Sequence, residues 1–309
     1  MKIILAEPRG FCAGVTRAID TVERALKKFG APIYVRHEIV HNKFVVEDLR
    51  KKGAIFVEEV SDIPEGSLVI FSAHGVSDQV EIDSRNKGLK IIDATCPLVS
   101  KVHRKAKKYE DEDFQIILIG HKGHPEVEGT SGRVKKPMIL VSDENEAKIV
   151  QITNPEKIAY VTQTTLSVDD TKKIVDVLEE RFPQMQRGLA TKDICYATQN
   201  RQDAVKELAN QVDLLLVLGS QNSSNSNRLR DLGSESIPSH LINGASDIDP
   251  NWLNGIKNIG ITAGASAPEI LVEEVIKKIK ELSGEKIEVS GMDGIVENVQ
   301  FALPREVRK

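Results

Sequence analysis

The stretch LKIIDATCPLVSKVHRKAKKY, residues 89–109, passes from a strand-like apolar run through a single cysteine, Cys96, into a segment whose hydrophobic period is helical. Val99, Val102, Ala106 and Tyr109 fall at spacings of three and four, and Pro97 suits a first helical turn, where a backbone N–H is not needed. Cys96 therefore lies between a strand and a helix. The same design heads two further segments. Val15, Ala18, Ile19, Val22, Leu26 and Phe29 follow Cys12 in helical period until Gly30 stops it, and Ala204, Val205, Leu208 and Val212 follow Cys195.

Counting on from the cysteines shows a threefold repeat. Twenty-five residues beyond Cys12, Cys96 and Cys195 stand His37, His121 and Ser220, each closing an apolar run: PIYVRH, FQIILIGH and DLLLVLGS. Polar clusters come next, with His41, His124 and Ser223 at 28 or 29 residues from their cysteines. A second run then ends on Ser-Asp in every copy: IFVEEVSD, MILVSDEN and HLINGASD. A third follows, as SLVIFSAHG, KIAYVTQTT and NIGITAGAS, and a last run, LKIIDAT or GLATKDI, leads into the next cysteine. Helices are expected after Ser77, Ser167 and Ser266, where a hydroxyl can cap free amides, with Pro268 near the first turn of the last.

Strands alternating with helices imply parallel sheets, which bind ligands beyond the carboxyl ends of their strands. The expected fold class is α/β, with three small parallel-sheet α/β domains in a pseudo-threefold, trefoil-like arrangement around a central site. The expected boundaries are 1–13 for an N-terminal strand and cysteine loop, 14–96, 97–194 and 195–283 for the three domains, and 284–309 for a tail. One long doubly wound sheet is the alternative.

Composition narrows the partners. In 309 residues, Lys+Arg number 42 against Asp+Glu 46, so no basic field is present to gather nucleic acid or an anionic membrane, and anionic ligands must be held by local groups. No apolar run approaches the about 20 residues of a membrane span, and the start MKIILAEPRGFC lacks a signal-peptide pattern, so a cytoplasmic protein is expected. With three cysteines one cannot pair within the chain, which argues against a disulfide framework.

One isolated thiol is most simply a buried side chain. Three in equivalent repeat positions point to a shared metal site, either zinc with an open fourth position or a [4Fe–4S] cluster with one iron lacking a protein ligand, and spacing does not choose between them. Near these strand ends the repeats place His41, His74, His124, Glu126, Thr164, Thr165, Ser223, Ser224, Asn225 and Ser266. Imidazoles, hydroxyls and amides suit a phosphate. Glu126 is the carboxylate expected to donate a proton, since a buried acid near an anion keeps its proton; the alternative is a surface loop residue.

Nine ordered motifs resemble the LytB-type iron–sulfur reductases, the 4-hydroxy-3-methylbut-2-enyl diphosphate reductase family of the non-mevalonate isoprenoid pathway. They are PRGFCAGV at 8–15, HEIVHN at 37–42, FSAHGVS at 71–77, IDATCPLV at 92–99, GHKGHPEVEG at 120–129, TQTTLS at 162–167, ATQNRQ at 197–202, GSQNSSNSNRL at 219–229 and TAGASAPE at 262–269. The resemblance implies one [4Fe–4S] cluster on Cys12, Cys96 and Cys195, with one iron open to substrate. It implies reductive loss of the allylic hydroxyl of the diphosphate substrate, yielding isopentenyl and dimethylallyl diphosphates. It places His41, His74, His124, Ser223, Ser224, Asn225 and Ser266 on the diphosphate, Thr165 near the substrate hydroxyl, and Glu126 as the acid, with His124 beside it in the catalytic set. A ferredoxin or flavodoxin as electron donor and a monomer or homodimer complete the expectation.

Overall fold

The computed structural model describes residues 1–186, 192–284 and 286–308. In chain order it begins with β1 (Lys2–Leu5), α1 (Ala13–Phe29), β2 (Ile33–Arg36), α2 (Lys43–Lys51), β3 (Ala54–Val57), β4 (Leu68–Phe71), α3 (Asp78–Asn86) and β5 (Lys90–Asp93). A second series comprises α4 (Pro97–Asp111), β6 (Gln115–Ile119), α5 (Pro125–Ser131), β7 (Ile139–Val141), α6 (Glu144–Ile149), β8 (Ile158–Thr162) and α7 (Val168–Arg181). A third comprises α8 (Tyr196–Ala209), β9 (Leu214–Leu218), α9 (Ser224–Ser234), β10 (Ser239–Ile242), β11 (Asn258–Ala263), α10 (Glu269–Ser283) and β12 (Glu288–Gly291).

Three separate parallel sheets result, so the α/β class holds and a single long sheet does not. Contacts group the chain into two compact units. The first is Met1–Thr16, Val40–Asp48 and Tyr196–Gln300, and the second is Arg17–Ile39, Leu49–Cys195 and the chain from Phe301. The second unit holds two sheets, ordered β3-β2-β4-β5 and β7-β6-β8, and the first holds β10-β9-β11-β1-β12. The order is the same in each: second run, first run, third run. Beside the third run comes the strand that leads into a cysteine, β5 before Cys96 and β1 before Cys12. β1 thus fills in the third repeat the place that β5 fills in the first. Of the corresponding run expected at 188–194, residues 188–191 lie outside the described residues.

Burial explains why these runs read as continuous apolar stretches. Every residue of β8 and β9 is buried, as expected for parallel strands covered on both faces. Leu214, Leu216 and Leu218 pack with Ile259, Ile261 and α10 residues Val272, Val275 and Ile279 in one core, while Leu215 and Val217 face Val205 and Leu208 of α8 in another. Truncating Leu216 to Ala there is expected to cost about 2–5 kcal/mol.

Helix limits follow local chemistry. Ser77 and Ser167 cap α3 and α7, accepting from the amides of Val80 and Asp170. Ser266 does not cap α10, which starts at Glu269 behind Pro268; its hydroxyl donates instead to the His41 carbonyl at 2.9 Å. Phe29, periodic with the buried face of α1, is 49% exposed, because it is the last helical residue before Gly30 turns the chain at φ +79. The stretch expected as a tail contributes β12, paired in register with β1 from Lys2↔Glu288 to Leu5↔Gly291. Among the described residues no helix is long and apolar enough to cross a membrane.

Candidate functional site

Each cysteine stands directly before a helix, and the loops of Cys12 and Cys96 leave a strand, whereas the described element before Cys195 is α7. Cys12 immediately precedes α1, Cys96 is the N-cap of α4, and Cys195 immediately precedes α8. All three are half-buried and none is in a disulfide. Their backbones are pinned alike. The Cys12 amide donates to the Ala265 carbonyl at 3.2 Å, that of Cys96 to Ala73 at 3.0 Å and that of Cys195 to Thr164 at 3.0 Å. Each acceptor lies two residues beyond the last residue of β11, β4 or β8. The repeat read from the sequence is therefore a repeat of hydrogen bonding.

In the second unit, the turn after β6 places His124 at the start of α5. Its Nδ1 accepts from the Glu126 amide at 3.1 Å, which leaves the imidazole proton on Nε2. Glu126 is 3% exposed. Its Oε1 accepts from the Thr164 amide at 2.6 Å and its Oε2 from the Thr164 hydroxyl at 2.9 Å. Burial raises its pKa to about 7, against the lowering effect of those two bonds. The surface-loop alternative for Glu126 is thereby excluded.

Thr165, the threonine that the resemblance placed near the substrate hydroxyl, accepts at Oγ1 from Gln163 Nε2 at 2.9 Å, and Gln163 Oε1 accepts from the His121 amide. Thr164, not Thr165, is the threonine in contact with Glu126. Nothing in the sequence separates adjacent threonines; only the side each presents does so. His74 follows β4, with Nδ1 3.2 Å from the Ser72 hydroxyl and its ring edge-on to His124, centroids 5.9 Å apart. Glycines permit this approach: a Cβ on Gly129 of α5 would lie 3.2 Å from the carbonyl carbon of Gly75, the residue after His74.

In the first unit, Ser223 caps α9, accepting from the Ser226 amide at 3.3 Å and from the Ser226 hydroxyl at 3.0 Å. Ser224 is the first residue of that helix. Asn225 is buried with both its amide nitrogen and its oxygen unpartnered. Gly264, after β11, leaves the room: a Cβ there would meet Ser226 Oγ at 2.0 Å and Asn225 Nδ2 at 3.5 Å. His41 is buried, its Nδ1 3.4 Å from Asn222 Nδ2 and its carbonyl held by Ser266. The structure thus brings His41, Ser223, Ser224, Asn225 and Ser266 into the first unit with Cys12, and His74, His124, Glu126 and Thr165 into the second with Cys96 and Cys195.

Chemically, this is an inventory of three matched thiols, a buried acid of near-neutral pKa, imidazoles, hydroxyls and one carboxamide awaiting a partner. Thiolates are soft ligands, of the kind that hold soft metals.

The LytB protein family model matches residues 3–280. The chain is 56% identical over 309 residues to a 4-hydroxy-3-methylbut-2-enyl diphosphate reductase of Azoarcus sp., covering 100% of this chain and 98% of that one. It is 56% identical over 314 residues to the enzyme of the same name from Marinobacter nauticus, again covering 100% and 98%. Among solved structures, the E-1-hydroxy-2-methyl-but-2-enyl-4-diphosphate reductase from Plasmodium falciparum superposes with a TM-score of 0.93 at 41% identity, covering 99% of this chain and 96% of that one. A solved (E)-4-hydroxy-3-methyl-but-2-enyl diphosphate reductase superposes with a TM-score of 0.64 at 34% identity, covering 91% and 100%.

Proposed function

The chain belongs to the LytB family of oxidoreductases, and from that premise we propose that it reductively dehydroxylates (E)-4-hydroxy-3-methylbut-2-enyl diphosphate to isopentenyl and dimethylallyl diphosphates. Two electrons and two protons enter, the allylic C–O bond breaks, one proton leaves with the oxygen as water and the other is gained by the hydrocarbon. We assign a [4Fe–4S] cluster to Cys12, Cys96 and Cys195. When bound it supplies electrons and an iron free of protein ligands, a Lewis acid for the hydroxyl oxygen. The observation that supports this reading is the matched backbone anchoring of three cysteines distant in sequence.

The chain's own groups then divide the work. Glu126, pushed by burial up to about 7, keeps its proton in about half of the molecules at neutral pH and can give it to the departing oxygen, and Thr164 fixes the orientation of the carboxyl. Thr165 and His124 complete the catalytic set in this reading. His41, His74, His124, Ser223, Ser224, Asn225 and Ser266 bind the diphosphate, and the orphaned carboxamide of Asn225 is the group whose missing partner best matches an anionic oxygen. The functional repeats are 14–96, 97–194 and 195–283, the third completed by 1–13 and joined by part of 284–309 through β12. A ferredoxin or flavodoxin as electron donor, a cytoplasmic location and a monomeric or homodimeric state belong to the same proposal.

Anaerobic reconstitution with iron and sulfide is the test. A brown protein with broad visible absorption that turns over the diphosphate under a strong one-electron reductant is expected. A colourless protein holding stoichiometric zinc would overturn the cluster assignment, and a loaded protein that binds the diphosphate without turnover would identify a sensor instead of an enzyme.

A further inference from the structure

Three cations outside the proposed machinery form a pattern. Each is carried by the helix that begins after one cysteine and reaches the loop that ends on another. Arg17, on α1 after Cys12, donates from Nη1 to the Thr95 carbonyl at 3.0 Å and from Nη2 to the Asp93 carbonyl at 3.3 Å, one and three residues before Cys96. Lys105, on α4 after Cys96, meets Asp193, two residues before Cys195, at 2.6 Å; the Asp193 side chain is 2% exposed. Arg201, on α8 after Cys195, donates from Nε and Nη2 to the Gly10 carbonyl at 3.2 and 2.8 Å, two residues before Cys12. The first helix serves the second cysteine, the second helix the third, and the third helix the first.

None of the three contacts resembles an ordinary surface pair. Arg201 is completely buried, and its remaining donors reach the Ala197 carbonyl and both oxygens of Glu297. The Arg17 Nε donates to the Ala302 carbonyl at 2.8 Å, so the C-terminal stretch backs two of the three cations. Burial holds the Arg17 guanidinium below its usual range, opposed by the charges of Asp93 and the Cys96 thiolate. Loops at ligand positions need this kind of support, because a thiol held only by its own backbone wanders from coordinating geometry.

We propose that Arg17, Lys105 and Arg201 are positioning residues that fix the loops of Cys96, Cys195 and Cys12 respectively. The inference rests on the cysteines being the ligands of one centre, as proposed above.

Site-resolved alkylation of the full chain by iodoacetamide under anaerobic conditions, followed by mass spectrometry, tests it. Arg17→Gln should speed modification of Cys96 by about tenfold and leave Cys12 and Cys195 unchanged. Lys105→Gln with Asp193→Asn should act on Cys195 alone, and Arg201→Gln with Glu297→Gln on Cys12 alone; the paired changes avoid stranding a buried carboxylate. Arg201→Lys keeps the charge but loses the two-pronged hold on Gly10, so Cys12 should still react faster. Equal acceleration of all three cysteines, acceleration of none, or acceleration of the cysteine that starts the substituted helix would overturn the assignment. In reconstituted protein, each variant should also release iron to a chelator faster. A chain that takes up no cluster would refute the proposed function, while the alkylation pattern would still decide the clamps.

Discussion

Glu126 and Asn225 stand at the same place in two repeats, each two residues after a side chain that caps a short turn into a helix, His124 in one and Ser223 in the other. Both are buried, and there the likeness ends. Glu126 has each carboxyl oxygen engaged by Thr164, whereas Asn225 has neither amide atom engaged. A buried polar group left unpaired costs about 1–3 kcal/mol, a cost that Asn225 carries and Glu126 does not. In the function proposed above, one repeat thus supplies a reagent and the other a receptor.

The largest effect expected from breaking this contrast is on turnover. Glu126→Gln preserves shape and removes the acid, so kcat should fall about 10²–10⁴-fold while ligand binding and iron content persist. Near-normal turnover would show that Glu126 is not the donor. Next comes pH. Glu126 binds its proton more tightly in the folded state, with a pKa near 7 against an ordinary 4.5, so the stabilisation is complete below the lower value and is lost as pH rises through about 7. Up to about 3 kcal/mol is involved. His103 works in the opposite sense: burial lowers it to about 4, so its contribution is present above its ordinary 6.5 and is lost as pH falls toward 4. Denaturant midpoints measured across pH should therefore fall more steeply on acidification in Glu126→Gln than in the parent; identical slopes would sink the assigned shift.

Asn225→Leu sharpens the receptor side. Removing two unpaired polar atoms should leave the thermal midpoint unchanged or higher, while diphosphate affinity drops about 10–100-fold. Titration calorimetry showing equal affinity would exclude Asn225 from the binding site. The smallest change is expected from Thr164→Val, which deletes one of the two bonds to Glu126 and keeps the backbone donor. Since that bond lowers the Glu126 pKa, its loss raises the pKa, and the alkaline limb of the kcat profile should move to higher pH. A shift to lower pH would contradict this sign.

Much of this was legible in the sequence because it depends on period. Counting from Cys12, Cys96 and Cys195 located strands and the helices that follow, since a repeat imposes equal spacing on elements of equal job, while the order of the strands in each sheet comes from the structure. Glu126 could be singled out from chemistry, as the acid inside the motif HPEVEG, and the structure buries it. The choice between Thr164 and Thr165 was not legible, because it turns on which way neighbouring side chains face. Nor were the three cations. Arg17, Lys105 and Arg201 lie five, nine and six residues after their cysteines, an irregular spacing that no period reveals. Their lengths and donor geometries differ, and each helix places its own cation wherever that side chain reaches the neighbouring loop. β1 was read as a separate N-terminal strand because adjacency in sequence hides that its partners, β11 and β12, come from the far end of the chain.

That placement of β1 sets a timetable for synthesis. Residues 2–5 leave the ribosome long before their neighbours on either side, 258–263 and 288–291. At about 5–20 residues per second, the leading strand waits roughly 15–60 s for a sheet to join. Cys12, whose amide anchors on Ala265, is therefore the earliest cysteine made and the last to be housed. A nascent chain stalled before residue 265 therefore presents Cys12 without its backbone anchor to any oxidant or stray metal it meets.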